Sequence, residues 1–181
     1  MAHHDSTASP GWSTFTWIAI GVLALGMVAT LAFRTLESIK QGGAKRKCTS
    51  NLKQIGLALV LYQQKNDESL PDRDGLPFLS ALYEQGFLPD ANDYLCPDSS
   101  EAAATTPWLD GRSCSYVGRR NTGSLRLTSK TIAKFGSRTA LAADSTFDPH
   151  LDYRNVLFAD GHVEEVDEDT YLRLYDPIMG R

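Results

Sequence analysis

Phe15-Thr-Trp-Ile-Ala-Ile-Gly-Val-Leu-Ala-Leu-Gly-Met-Val-Ala-Thr-Leu-Ala-Phe33 is a run of 19 residues without a single charge. A helix rises about 1.5 Å per residue, so this stretch spans roughly 28 Å, close to the ~30 Å hydrocarbon core of a bilayer. Gly21, Gly26, Thr16 and Thr30 are acceptable there because a helix satisfies its own backbone in lipid. Trp12 and Trp17 stand where interfacial aromatics belong. A cleaved secretory signal would need a basic leader and a shorter apolar core, yet the first 14 residues hold no Lys or Arg. The reading is a retained transmembrane helix over 15–33, preceded by a tail over 1–14.

Outward from the anchor, charge divides the chain. From Arg34 to Lys65 there are seven basic residues against one acid, Glu37; from Asn66 onward 11 basic residues face 20 acids. A basic stalk over 34–65 thus carries an acidic head over 66–181, and the net charge of -4 conceals both. The stalk charges suit anionic lipid headgroups or a solvated helix face. Nucleic acid is excluded as a partner, because the head is acidic and no basic stripe interleaves with aromatics. The positive-inside tendency by itself would hold the head in the cytoplasm.

Leu52, Ile55, Leu59 and Tyr62 fall on one stripe of an amphipathic helix that ends near Lys65-Asn66. Gly42-Gly43 marks a kink or break within the helical stretch 14–65. A short helix is predicted from Pro77 to Gln85, with Gly86 just past its end. After a loop, the pattern turns to strands at Cys114–Val117, Leu125–Leu127 and Thr139–Ala143. The clearest pair is Asn155–Ala159 with His162–Val166, joined by Asp160-Gly161 as a two-residue type I′ hairpin turn. Val156 and Phe158 are expected on one face of the sheet and Leu157 on the other. The head is large enough for one modest core.

Cys48, Cys96 and Cys114 permit one disulfide and one free thiol, as an oxidising compartment allows. Cys96–Cys114 is the preferred pair, closing about 19 residues for roughly 3 kcal/mol. Cys48 is a rival partner for either. No Cys-x-x-Cys spacing suggests zinc or redox chemistry.

Cys48-Thr-Ser-Asn-Leu-Lys-Gln-Ile-Gly-Leu-Ala-Leu59 is followed by Tyr62, Leu95-Cys-Pro-Asp98, Ser115-Tyr116 and Ala142-Ala-Asp144. His150 and Asp160-Gly161-His162-Val163 complete the order, with nine residues between His150 and Asp160. In this series the chain resembles the H-X9-DG prepilin-type proteins, relatives of type II secretion pseudopilins, from about residue 15 to 166. The resemblance implies an α+β, type IV pilin-like fold: a long N-terminal helix, its first half transmembrane, its second half packed on an antiparallel sheet. It also implies a single-pass protein of the cytoplasmic membrane with its head on the outer side. Pilin-like subunits or secretion-system components are the implied partners, in a homo-oligomer or filament, and no catalysis is implied. The chain departs from the family pattern at Thr14, where a glycine precedes the peptidase cut, and at Ala19, where a glutamate stands. Prepilin peptidase is therefore expected to cut before Phe15 poorly or not at all.

The polar residues of the head admit two readings. Asp144, His150, Asp160 and His162 are metal-ligand types that a folded hairpin would be able to gather. The structural reading, preferred here, makes Asp160-Gly161 a turn and has His150 cap or hydrogen-bond it. No nucleophile elbow, His-Glu-x-x-His helix or phosphate-cradling loop points to an enzyme, and no cofactor is expected. The expected function is a non-catalytic, membrane-anchored structural or assembly subunit. The alternative is an anchored binding module or metal-dependent enzyme using the acidic head.

Overall fold

The computed structural model describes residues 14–97, 101–106, 108–145 and 153–180, with side chains at 14–15, 36–42 and 44–45 not described. Helix α1 runs Thr14–Lys65, and helical assignment passes through Gly42-Gly43 without a break. The glycine pair is nonetheless where the chain divides into two compact units, 1–42 and 43–181. In the first unit, Thr16–Thr35 is long and apolar enough to cross a membrane, and its side chains are exposed. The Thr30 and Thr35 hydroxyls donate to the Met27 and Ala32 carbonyls at 2.8 Å, so the helix satisfies its own hydroxyl donors.

The second unit is α+β. Strands β1 (Tyr116–Gly118), β2 (Ala140–Asp144), β3 (Tyr153–Phe158) and β4 (Val163–Asp167) form one sheet in the order β1-β2-β3-β4, each pair antiparallel. Helix α2 (Leu76–Glu84) starts one residue before the predicted helix and has Pro77 in its first turn. The predicted stripe of α1 faces the core: Leu52, Ile55 and Leu59 are buried, with Tyr62 packed at its edge. They pack with Phe78, Leu79 and Leu82 of α2 and with Tyr116, Leu141 and Leu157 of the sheet. Each such side chain contributes about 1.5–3 kcal/mol. Gly56 lies so close to the sheet that an added Cβ would stand 3.1 Å from the Leu157 side chain.

The other face of the sheet is covered too, which the sequence reading did not anticipate. Helix α4 (Glu168–Leu174) lays Tyr171 against Val156, Phe158, Ala140 and Ala143, with Met179 beside them. Alternation along β3 is as expected, Leu157 toward α1 and its neighbours toward α4. Strand β2 carries a bulge between Ala140 and Ala142, so Leu141 and Ala142 face α1 in succession. Two expectations fail in this half. Leu125–Leu127 forms no strand: a 3₁₀ turn occupies Gly123–Leu125, and Thr128 accepts from the Thr131 amide to start helix α3 (Ser129–Phe135). The N-cap chemistry of Thr128 outweighs the alternating pattern of so short a run.

The β3–β4 hairpin also differs from the predicted turn. Gly161 N–H donates to the Phe158 carbonyl and Phe158 N–H to the His162 carbonyl, both at 2.9 Å, enclosing three residues rather than two. Gly161 alone takes positive φ, at 89°. This is a tight turn followed by a left-handed bulge residue, a geometry that spares Asp160 from positive φ. A Cβ at Gly161 would meet nothing within 4 Å, so its role is purely conformational. Gly161→Val is expected to cost about 1–2 kcal/mol from the left-handed backbone alone, read as a lower melting midpoint of the full-length protein in detergent. An unchanged midpoint would remove the backbone argument.

Candidate functional site

The hairpin brings Asp160 and His162 together at the surface. The Asp160 carboxylate accepts from the His162 amide at 3.2 Å and lies 2.5 Å from its Nδ1. Burial works against ionisation of Asp160, but these bonds outweigh it and hold its pKa below the ordinary value. The His162 ring stacks on Phe158 with centroids 4.4 Å apart. Both residues of the pair thus have structural work at the turn.

Asp144 is elsewhere. It is fully buried at the end of β2, and one oxygen accepts from the Asn155 backbone amide at 2.8 Å and the Asn155 side chain at 2.7 Å. Asn155 links onward to the Thr49 hydroxyl at 3.4 Å, so a polar thread joins β2, β3 and α1. Asn155 and Phe158 are three residues apart on β3, roughly 10 Å at the strand repeat. The gathering of Asp144 with Asp160 and His162 around one point therefore does not occur. The antiparallel register puts them at opposite ends of the sheet. His150 lies outside the described residues. Among the described residues no group of three or more His, Cys, Asp or Glu side chains is placed to hold a metal ion.

The cysteines correct the preferred pairing. Cys48 bonds Cys96, with Cα atoms 5.2 Å apart, and Cys114 is free and buried. Cys48 continues the buried stripe of Leu52, Ile55 and Leu59, so the helix aims it at the core. Two contacts fix the chain around Cys96, the first of them to α1. Asn51 Nδ2 donates to the Leu95 carbonyl at 2.8 Å, and the Cys96 amide donates to Ser115 Oγ at 2.9 Å. The Cys114 thiol instead donates to the Tyr116 carbonyl at 3.2 Å. Burial pushes that thiol up to about 12, so it is protonated at neutral pH and no nucleophile. Cys114 is expected to resist thiol reagents in the native protein and to react fully in denaturant. Rapid native labelling would contradict its burial.

Below α4 lies a cleft of about 420 Å³, lined mainly by apolar groups, among them Leu76, Tyr116, Val117 and Met179. Its cation, Arg154, is committed: it pairs with Glu168 through Nη2, donates from Nε at 2.6 Å, and stacks 4.2 Å over Tyr171. Burial opposes its charge, and the Glu168 bonds more than compensate, raising its pKa.

The surface holds what sequence reasoning missed. Leu57, Val60 and Leu61 form a second apolar stripe on α1, and all three are exposed. Reading only the Leu52–Tyr62 periodicity hid it. The signal was present in Leu57, Val60 and Leu61, which fall at i, i+3 and i+4 on the opposite side of the helix. Beside this stripe runs a groove of about 270 Å³ bounded by Ile132, Phe158 and Asp160. No protein-family model, no curated protein and no solved structure matches this chain.

Proposed function

We propose that this protein is a membrane-anchored, pilin-like structural or assembly subunit of a type II secretion or type IV pilus-like apparatus, and that it works without catalysis. The observation that carries this reading is α1. One helix supplies both a membrane-length apolar stretch and the stripe on which the antiparallel sheet is built. The Cys48–Cys96 bond supports a head on the oxidising outer side of the cytoplasmic membrane, against the charge bias of the stalk.

Thr14 and Ala19 distinguish this chain from a typical processed subunit. Without the glutamate, a neighbouring N-terminus lacks its partner carboxylate in lipid, a group retained there only for function. The expected outcome is a mature chain that is not cut before Phe15, whose head is digested by protease added to spheroplasts and which co-purifies with pilin-like partners. N-terminal sequencing, protease accessibility and affinity purification measure these together. A head protected from protease, or a solitary monomer, would overturn the proposal. A mature N-terminus at Phe15 would overturn the expectation for processing alone.

A further inference from the structure

Aspartate precedes glycine at three places: Asp74-Gly75, Asp110-Gly111 and Asp160-Gly161. In such a pair the glycine nitrogen can attack the aspartate carboxyl carbon and close a five-membered imide. The two groups are held in one chain, and glycine has no side chain to obstruct the approach. The step needs one carboxyl oxygen polarised, the other able to leave, and a glycine N–H not held by an acceptor. At Asp74 both oxygens are held, Oδ1 by the Asn121 and Thr122 amides at 2.6 and 3.0 Å and Oδ2 by the Thr122 hydroxyl at 2.8 Å. The Gly75 N–H donates to the Arg119 carbonyl at 3.1 Å, and the Gly161 N–H to the Phe158 carbonyl at 2.9 Å. Asp110-Gly111 differs. Its Oδ1 accepts from the Arg112 amide at 2.9 Å and from the Ser113 hydroxyl at 3.0 Å. Among the described residues, neither its Oδ2 nor the Gly111 N–H has a hydrogen-bond partner. Asp110, Gly111 and Arg112 are exposed, so water reaches the turn.

We propose that the Asp110-Gly111 turn is a self-modifying site at which the chain isomerises its own backbone through an imide. Gly111 N forms a bond to Asp110 Cγ as the bond from Cγ to Oδ2 breaks. Oδ2 leaves as water, carrying the carboxyl proton and the amide proton. Oδ1 bears the negative charge of the tetrahedral intermediate, and its two donors stand at the distances of an oxyanion hole. Water then adds to either imide carbonyl. Opening at one restores aspartate; opening at the other leaves isoaspartate, with the main chain routed through the former side chain. The water lost in closure returns in opening, so no other reactant is needed. The Arg112 amide and the Ser113 hydroxyl also hold the carboxyl below its usual pKa. Only a small neutral fraction closes, and the change accumulates slowly over the life of the protein. Isoaspartate adds one methylene to the main chain between two buried residues, Leu109, whose amide donates to Ser80 Oγ at 3.1 Å, and Ser113. Gly111 also lines the cleft below α4, whose wall changes with it.

The test ages the full-length protein in detergent at neutral pH and physiological temperature, then maps its peptides by chromatography and mass spectrometry. Isoaspartate is read as a peptide of unchanged mass and altered retention that an isoaspartyl methyltransferase labels. It is expected to accumulate at Asp110 several-fold faster than at Asp74 or Asp160, which serve as controls within the same molecule. Gly111→Ala is expected to suppress it. That variant keeps the fold, because the added Cβ meets nothing within 4 Å and the backbone there is not left-handed. Asp110→Asn retains the accepting oxygen and releases ammonia in place of water, so it is expected to convert to aspartate and isoaspartate faster than the wild type isomerises. Ser113→Ala in that background removes one donor to the oxyanion and is expected to slow the conversion several-fold. An Asp110 that stays intact in the aged wild type would overturn the proposal, as would an Asp110→Asn variant that does not convert. Equal accumulation at all three pairs would overturn the selection of this turn by its hydrogen bonds, and an undiminished rate in Ser113→Ala would overturn the role of the donors.

Discussion

Leu59→Asp is expected to unfold the head. Leu59 is 1% exposed on the α1 stripe that meets the sheet. Its replacement forfeits about 1.5–3 kcal/mol of burial. It also places a carboxylate among Leu52, Ile55 and Leu157, with no cation in that cluster to pair it. Such a group must take up a proton or drag water inward, and either costs several kcal/mol more. The sum is comparable with the ~5–15 kcal/mol that holds a typical domain together. Circular dichroism of the full-length protein in detergent should show the sheet signal lost at room temperature. Leu57→Asp, two positions away and 56% exposed, is the matched control and should leave the fold intact. If Leu59→Asp melted like wild type, α1 would not be part of the core.

Removing the Cys48–Cys96 bond is expected to be nearly as damaging. The bridge spans 48 positions, for which the chain-entropy relation gives about 4 kcal/mol. In a unit of this size that corresponds to a melting midpoint lower by roughly 10 °C. Cys48→Ala and Cys96→Ala should each show the loss, and adding a reductant to the wild type should reproduce it. Cys114→Ala should show a much smaller change, since only a buried thiol is truncated. Peptide mapping without reduction should recover a linked pair containing Cys48 and Cys96. A Cys96–Cys114 link, or three free thiols, would overturn this connectivity.

Much of the architecture was written in local periodicity. An uncharged run of membrane length, a 3.6-residue stripe from Leu52 to Tyr62, and the alternation around Leu157 each need only near neighbours to be read. The Asp160-Gly161 pair announced the hairpin. Its loop length escaped because Asp avoids positive φ when a three-residue loop with Gly161 as the bulge is open to it. The start of α4 was detectable as well: Asp167 ahead of Glu168 and Asp169, with its side chain accepting from the Thr170 amide. The candidate metal ligands are a different case. Their residue types were suitable, but the register of β2 on β3 separates Asp144 from Asp160, and no residue type reveals a register.

What the sequence determined by itself was therefore the set of elements and their inward faces: the apolar span, the α1 stripe, the hairpin and the alternation across the sheet. These follow from backbone geometry repeated every two or 3.6 residues. What only the tertiary structure decided was which distant groups meet. Loop-closure entropy grows only slowly with length, so spacing could not separate a bridge over 48 positions from a shorter one. The choice fell to Cys48 because Asn51, three residues further along α1, holds the Leu95 carbonyl beside the helix. Likewise Val156 and Phe158 demanded a cover that their own strand had no means of naming. Once α4 supplied it on one face and α1 occupied the other, Leu57, Val60 and Leu61 were left bare: the helical pattern contains this second stripe, and only the packing decides which of the two stripes is covered.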